Sequence, residues 1–309
     1  MGESIFYLWR EDIDFTKLKK ENRAFKTEKY EHSYISEPLI FEHTLSESNV
    51  FRIPLTINPQ ENIKINWGDG IVEKIENKDD ICLLHCVIIH NYTNTRVWKK
   101  YRISISGSKY SLNHIGYCQE WANGITNFVT LGDIGITDLS GLFYYCNEFN
   151  GIISENFNTS KVTNMNSMFC GAESFNQPLE FDTSRVTDMG YMFYEASSFN
   201  QSLGDKFDTS MVTDMCYMFS NASSFNQSLG DKFNTSMVTN MSCMFHNAKS
   251  FNQSLEFDTS MVTDMGYMFC NAECFNQYLE FDTSSVTNMS YMFSNAISFN
   301  KDLNWIPKY

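Results

Sequence analysis

The chain of 309 residues is short of positive charge and of long apolar runs, and each shortage closes off a class of function. Lys and Arg number 23 against 37 Asp and Glu, a formal net charge of −14. The deficit is uneven. Residues 1–133 hold 18 acids and 16 bases, net −2, whereas residues 134–309 hold 19 acids and 7 bases, net −12. A surface that acidic repels a phosphate backbone, so no nucleic-acid partner is expected for the C-terminal part. No apolar stretch reaches the roughly 18–20 residues of a membrane-spanning helix, so direct membrane insertion is not expected either. The opening MGESIFYLWREDIDF carries acids where a secretory leader carries bases. Phe6 stands where a myristoylation signal needs Ser or Thr, and no lipid-anchor cysteine follows an apolar leader. Phosphate loop, nucleophile elbow and histidine-based triad are all missing, and no enzyme activity or cofactor is expected. The nine cysteines are odd in number, and those in the C-terminal part fall out of register with one another. That pattern points to mostly free thiols and synthesis in a reducing compartment.

What the chain has in excess is repetition. At 42% hydrophobic it can bury a core. Met-Phe recurs at Met168, Met192, Met218, Met244, Met268 and Met292, with Leu142-Phe143 as a variant, at spacings of 24 or 26 residues. Phe-Asn follows each time, from Phe149 to Phe299, making seven copies. Two copies carry SLGDKF (202–207 and 228–233) where others have PLEF or SLEF, which places the insertion in a loop at one edge. Within a copy, Met189, Met192, Phe193 and Ala196 fall at i, i+3, i+4 and i+7. This spacing predicts one face of a short helix, capped by Asp188. The cap position reads Asn164, Asp188, Asp214, Asn240, Asp264 and Asn288. Ser-x-Val-Thr ahead of it predicts a short strand. A single copy is too small to bury its own face, so the copies must stack, with the Asn of Phe-Asn forming a column from Asn150 to Asn300. The expected class is therefore α+β: a right-handed, leucine-rich-repeat-like solenoid of short parallel strands and helical turns over 111–309, behind a small N-terminal β-sandwich.

That head is predicted over 46–110 from VFRIPLTI, NIKINW, ICLLHCVII and YRISISG, separated by turn residues. In NWGDG (66–70), Gly68 and Gly70 are free to take positive φ. SYISEPLIFEHTL (33–45) is expected to add an edge strand, and residues 1–32 are left unplaced.

The text MFxxAxSFNQxLxxFDTSxVTDM, over about 134–305, resembles the repeat of BspA-like leucine-rich-repeat surface proteins, a mycoplasma-type family also found in protist surface proteins and in large DNA viruses of protists. FRIPL…INWGDG…HNYTN…YRISISG resembles the polycystic-kidney-disease-type β-sandwich that often precedes such repeats. The resemblance implies adhesion or partner binding, with a protein partner or surface glycan, and no catalysis. Lacking the leader of the bacterial members, the chain is expected at a virion or cell surface in a viral or protist setting. An intracellular interaction scaffold is the alternative, and a hydrolase the remaining one.

FDTS evokes the Asp-Thr-Gly/Ser of aspartic proteases, but those need two facing carboxylates, and the acid is Asn158 and Asn234 in two copies. A turn-capping role fits better. Stacked Asp182, Asp208, Asp258 and Asp282 invite calcium, yet the glycine-rich nonapeptide of calcium-binding rolls is absent. Cys82, His85, Cys86 and nearby His90 have a loosely zinc-like spacing, but in a strand His85 would face away from the cysteines. No metal is expected. The sequons at Asn91, Asn200, Asn221 and Asn226 follow largely from the repeat text.

A partner surface is the remaining candidate. In Ser-x-Val-Thr the Val points inward, so x and Thr point out. Position x reads Lys161, Arg185, Met211, Met237, Met261 and Ser285. Met211, Met237 and Met261 are expected to form an apolar strip beside a column of threonines, with Tyr191, Tyr217, Tyr267 and Tyr291 exposed on the helical side. Thiol labelling under denaturing, non-reducing conditions should count nine free cysteines; eight protected would overturn the reducing-compartment reading.

Overall fold

The computed structural model describes residues 5–8, 37–44, 50–58, 61–76, 84–92, 99–108, 112–117, 121–303 and 305. The chain divides into two compact units, Met1–Ile115 with Gly124–Ile136, and Gly116–Asn123 with Thr137–Tyr309.

Alternation of apolar and polar residues builds the first unit. Its strands are β1 (Ile5–Leu8), β2 (Leu39–Thr44), β3 (Val50–Ile57), β4 (Asn62–Asn66), β5 (Val72–Glu76), β6 (Leu84–Asn91), β7 (Lys100–Gly107), β8 (Leu112–Ile115) and β9 (Ile125–Thr130). They pair antiparallel in two sheets, one ordered β1-β6-β3-β8 and the other running β9-β2-β7-β4-β5. Leu39, Phe41 and His43 of β2 alternate inward, and β2 lies between β7 and β9 rather than at an edge. Of residues 1–32, only β1 lies within the described residues.

The sheets meet through aromatic contacts: Phe41 on Phe51 at 5.9 Å, and the His43 ring on Phe51 at 4.0 Å. NWGDG turns as expected, with φ of 78° at Gly68 and 99° at Gly70. A Cβ on Gly68 would lie 2.7 Å from the Arg102 carbonyl oxygen, so glycine is required there twice over. The turn holds Trp67 stacked on His90 at 4.4 Å, and the Tyr92 hydroxyl donates to the Trp67 carbonyl at 3.1 Å.

In the second unit the expected α+β solenoid is overturned. Among the described residues there is no helix, and the only regular strand of this unit is β10 (Ile152–Ile153). Each copy is a chain of tight turns, joined to the next by one isolated parallel bridge through Asp138, Asn164, Asp188, Asp214, Asn240, Asp264 and Asn288 in succession. The reason lies in the backbone. The Met192 N–H donates to the Met189 carbonyl and the Ala196 N–H to that of Phe193, closing two four-residue turns. Their third residues, Tyr191 and Glu195, have φ of 57° and 58°, which no right-handed helix accommodates. Meanwhile the N–H groups of Met189, Tyr191, Phe193 and Glu195 donate to Asp214, Cys216, Met218 and Ser220 of the next copy, and so are lost to any i→i+4 ladder. The residue expected to cap a helix makes an Asx turn instead: Asp188 Oδ1 accepts from the Gly190 N–H at 2.9 Å. Turns four residues long return side chains to one side almost as a 3.6-residue helix does. The same set is therefore buried under either reading, and Met189, Met192, Phe193 and Ala196 are all inaccessible to solvent.

Aromatic columns fill the interior. Phe169, Phe193, Phe219, Phe245, Phe269 and Phe293 stack at 5.4–5.7 Å, and Phe175 through Phe299 stack at 5.8–6.0 Å. The 24- and 26-residue spacings do not disturb the register, because Thr213 and Thr263 both donate to the Thr carbonyl of the copy before. The asparagine column forms as expected. Asn226 Oδ1, for example, accepts from the Asn252 N–H at 2.9 Å and from Gln253 Nε2 at 3.0 Å. Buried Thr183, Thr209, Thr235 and Thr259 each donate to the carbonyl of the FDTS acid or amide in the following copy, at 2.7–2.9 Å.

Asn226→Ala leaves the Asn252 N–H without its acceptor and Gln253 Nε2 with only the backbone carbonyl of residue 226, and should cost about 1–3 kcal/mol of stability by denaturant titration. His43 is buried, and burial pushes its imidazole down to about 4, opposed only in part by a backbone hydrogen bond at Gly124. The unfolded imidazole, near its ordinary 6.5, takes up a proton first. Stability is therefore present above pH 6.5 and lost as pH falls towards 4, by about 3 kcal/mol in total. His43→Leu should flatten that segment of the stability–pH curve.

Candidate interaction surface

Val162, Val186, Val212, Val238, Val262 and Val286 are buried, which turns their neighbours outward as the sequence implies. Met211, Met237 and Met261 are 49%, 48% and 53% exposed, and they hold the same place in three successive copies. Beside them Thr163, Thr187, Thr213, Thr239, Thr263 and Thr287 are exposed. Their hydroxyls donate to the threonine carbonyl of the preceding copy at 3.0–3.3 Å. With the hydroxyl turned back onto the backbone, the column adds little free hydrogen-bonding capacity to the strip. The line begins with exposed Lys161 and Arg185 and ends at Ser285.

The tyrosines behave less uniformly. Tyr267 and Tyr291 are exposed, whereas Tyr191 and Tyr217 are half-buried. Tyr191 stacks on Tyr217 at 4.7 Å and Tyr267 on Tyr291 at 5.0 Å. One face of each ring is thus taken by its neighbour. Between the pairs the position is Cys243, whose φ of 56° matches the 55–58° of the tyrosines. The interruption is visible in the sequence once the column is aligned, but the stacking is not, since ring orientation depends on the left-handed backbone beneath it. Tyr278 and Ile297, exposed in the last copies, are apolar surface that sequence reasoning did not single out.

Hydrogen bonds from Ser210 to Asp208 and from Ser260 to Asp258 hold both carboxyls below their ordinary range, and Ser284 does the same for Asp282. An aspartic-protease pair needs a carboxyl that retains its proton, the opposite shift. Among the described residues no group of three or more His, Cys, Asp and Glu is arranged to hold a metal ion. Cys82 lies outside the described residues, as do the side chains of His85 and Cys86; His90 is engaged instead with Asp69 Oδ2 at 2.8 Å. Sequon residues Asn200 and Asn226 spend their side chains on the asparagine column, and Asn221 Oδ1 accepts from Asn247 at 2.7 Å. Cys146, Cys170, Cys216, Cys243, Cys270 and Cys274 are free thiols. Burial pushes Cys170 up to about 12, and burial with the Asp214 carboxylate raises Cys216, so neither is a ready nucleophile. No helix among the described residues is long and apolar enough to cross a membrane.

Against known proteins, the family described as Mycoplasma protein of unknown function, DUF285, matches residues 113–231, 179–278 and 254–307. The chain belongs to the DUF285 family. Its matched segments overlap along the repeat array, as expected where one repeat unit follows another. No curated protein and no solved structure matches the chain.

Cys243→Tyr tests the aromatic column of this DUF285 chain. The backbone there already has the conformation of its tyrosine neighbours, so the change should be neutral or stabilise by up to ~1 kcal/mol through added stacking, read from the thermal unfolding midpoint.

Proposed function

We propose that this protein is a non-enzymatic binding protein whose repeat array presents the Met211–Met237–Met261 strip to a protein partner at a cell surface or virus particle. The observation that carries the reading is the half-exposure of three large, flexible thioethers in consecutive copies, on a part of the chain with a net charge of −12. Scattered apolar residues are ordinary on a protein surface, but a contiguous line of them marks an interaction site. Methionine adapts its shape to a partner more readily than branched side chains do. Lys161 and Arg185 continue the same line, which suits a partner with an apolar ridge and an acidic end.

A protein suits the surface better than a glycan. Sugars stack on open aromatic faces, and here Tyr191, Tyr217 and Tyr267 each have a ring face taken by a neighbouring tyrosine. The repeat text resembles that of BspA-like surface proteins, and two antiparallel sheets in the first unit are compatible with a polycystic-kidney-disease-like head. Neither nucleic acid nor inserted lipid belongs in this reading, and neither does a cofactor or a catalytic step.

The test is the triple variant M211E/M237E/M261E. All three side chains are exposed, so the unfolding midpoint should stay close to that of the parent. Photo-crosslinking from position 237 in surface or particle fractions should capture a partner, and a Glu at the two flanking positions should abolish the capture. Capture that survives those substitutions at unchanged yield removes the strip as the site.

A further inference from the structure

Methionine stands in two kinds of place in the array, and they differ in access to solvent. Of the fifteen methionines among the described residues, twelve occupy inward turn positions, from Met165 and Met168 to Met289 and Met292, and none of these is more than 3% exposed. The other three are Met211, Met237 and Met261, half exposed, each directly before a buried valine. At that position the other copies carry Lys161, Arg185 and Ser285, which have no sulfur. A two-electron oxidant converts an apolar thioether into a polar sulfoxide, provided that it can reach the sulfur. Three reachable sulfurs thus lie in one line, above twelve closed ones of the same chemistry.

We propose that the Met211–Met237–Met261 strip is a modification site for peroxides, oxidised while the chain stays folded, and that oxidation closes the strip to an apolar partner. The sulfur lone pair attacks one peroxide oxygen; the S–O bond forms as the O–O bond breaks, and hydrogen peroxide leaves as one water. Sulfur gives up two electrons and the peroxide takes them. Hydrogen peroxide is uncharged, so a part of the chain with a net charge of −12 does not repel it. The side chains point outward, so the new oxygen enters no core. Nor do the threonine hydroxyls beside the strip answer it, because Thr213, Thr239 and Thr263 already donate to the threonine carbonyl of the preceding copy at 3.1–3.3 Å. The sulfoxide oxygen is therefore hydrated, and an apolar partner that covers it must remove that water without replacing the hydrogen bond. This last step, the closing of the strip, rests on the binding role proposed above. A sulfoxide reductase supplied with a dithiol reverses the change, yielding thioether, water and the disulfide.

In the experiment the full chain is treated with hydrogen peroxide, then with dithiothreitol to restore cysteines such as the exposed Cys274, and oxygen gain is mapped by peptide mass spectrometry. Met211, Met237 and Met261 should oxidise faster than Met192, Met218 or Met244 by about tenfold or more, and all should react alike in the urea-unfolded chain. The unfolding midpoint should stay near the parent's while retention on a hydrophobic-interaction column falls. Methionine sulfoxide reductases for both epimers, with dithiothreitol, should restore the retention. The variant M211L/M237L/M261L should keep its retention through the same treatment. Equal rates at strip and buried methionines, or an equal loss of retention by the leucine variant, would overturn the modification site. The closing of the strip is read by partner capture from a photo-crosslinker at exposed position 239, which leaves all three sulfurs in place. Capture should fall by about tenfold or more on oxidation of the parent, and not in the leucine variant. Unchanged capture by the fully oxidised parent would overturn the closing alone. Capture that M211E/M237E/M261E leaves intact in the unoxidised chain would remove the binding role and the closing with it, while the oxidation map still decides the modification site.

Discussion

Everything in the repeat array depends on where alternate backbone N–H groups go. Half of them close four-residue turns within a copy, and the other half cross to the next copy. The division is made possible by left-handed residues at fixed places, such as Tyr191 and Glu195, Tyr217 and Asn221, Tyr267 and Asn271. Holding tyrosine or glutamate at positive φ is unfavourable by itself. In the inner copies each such residue donates its own N–H to the neighbouring copy and thereby joins a ladder six steps long, which offsets the strain. The strain and its compensation are repeated together, which is why the text of the repeat varies so little.

The interior side chains follow from that ladder. Copies held at backbone hydrogen-bond distance bring identical residues into direct contact, so phenylalanine must stack on phenylalanine and asparagine must bond to asparagine. An aromatic ring suits such a column because near-parallel neighbours of the same shape stack in an offset arrangement, centroids 5.4–6.0 Å apart. The FDTS threonine solves the polar counterpart, reaching the next copy's carbonyl from a site closed to water. Surface properties are set by the positions left over, and these are the ones that vary: x before Val, the tyrosine position, and the residue after Ala.

The first unit handles its buried polar groups differently. His90 loses charge preference through burial, but hydrogen bonds and charge from Glu73 and Asp69 more than restore it, and its pKa is raised. That contribution is fully present at pH below the ordinary imidazole value and is lost as pH rises through the raised one. His43, with no carboxylate beside it, shifts the opposite way. Two histidines in facing sheets thus pull the stability of one sandwich in opposite directions across the pH scale.

By itself the sequence determined the number of copies, their register, the inward set Val, Met, Phe, Ala and Leu, the asparagine column and the outward turn of Met211, Met237 and Met261. Periodicity carries all of these, since residues at equivalent positions of stacked copies must share an environment. It also determined the turn at NWGDG, because glycine takes the positive φ found at Gly68 and Gly70 without a steric penalty, whereas the close approach of Gly68 to Arg102 belongs to the tertiary structure. It did not determine the class of the repeat. Side chains at i, i+3, i+4 and i+7 share a face in a helix and in consecutive four-residue turns alike. The choice between the two lies in whether an N–H finds its acceptor within the copy or in the next one, and in whether Tyr191 and Glu195 adopt positive φ. Those are properties of the stacked backbone, formed only when a second copy is in place, and the tertiary structure alone decides them.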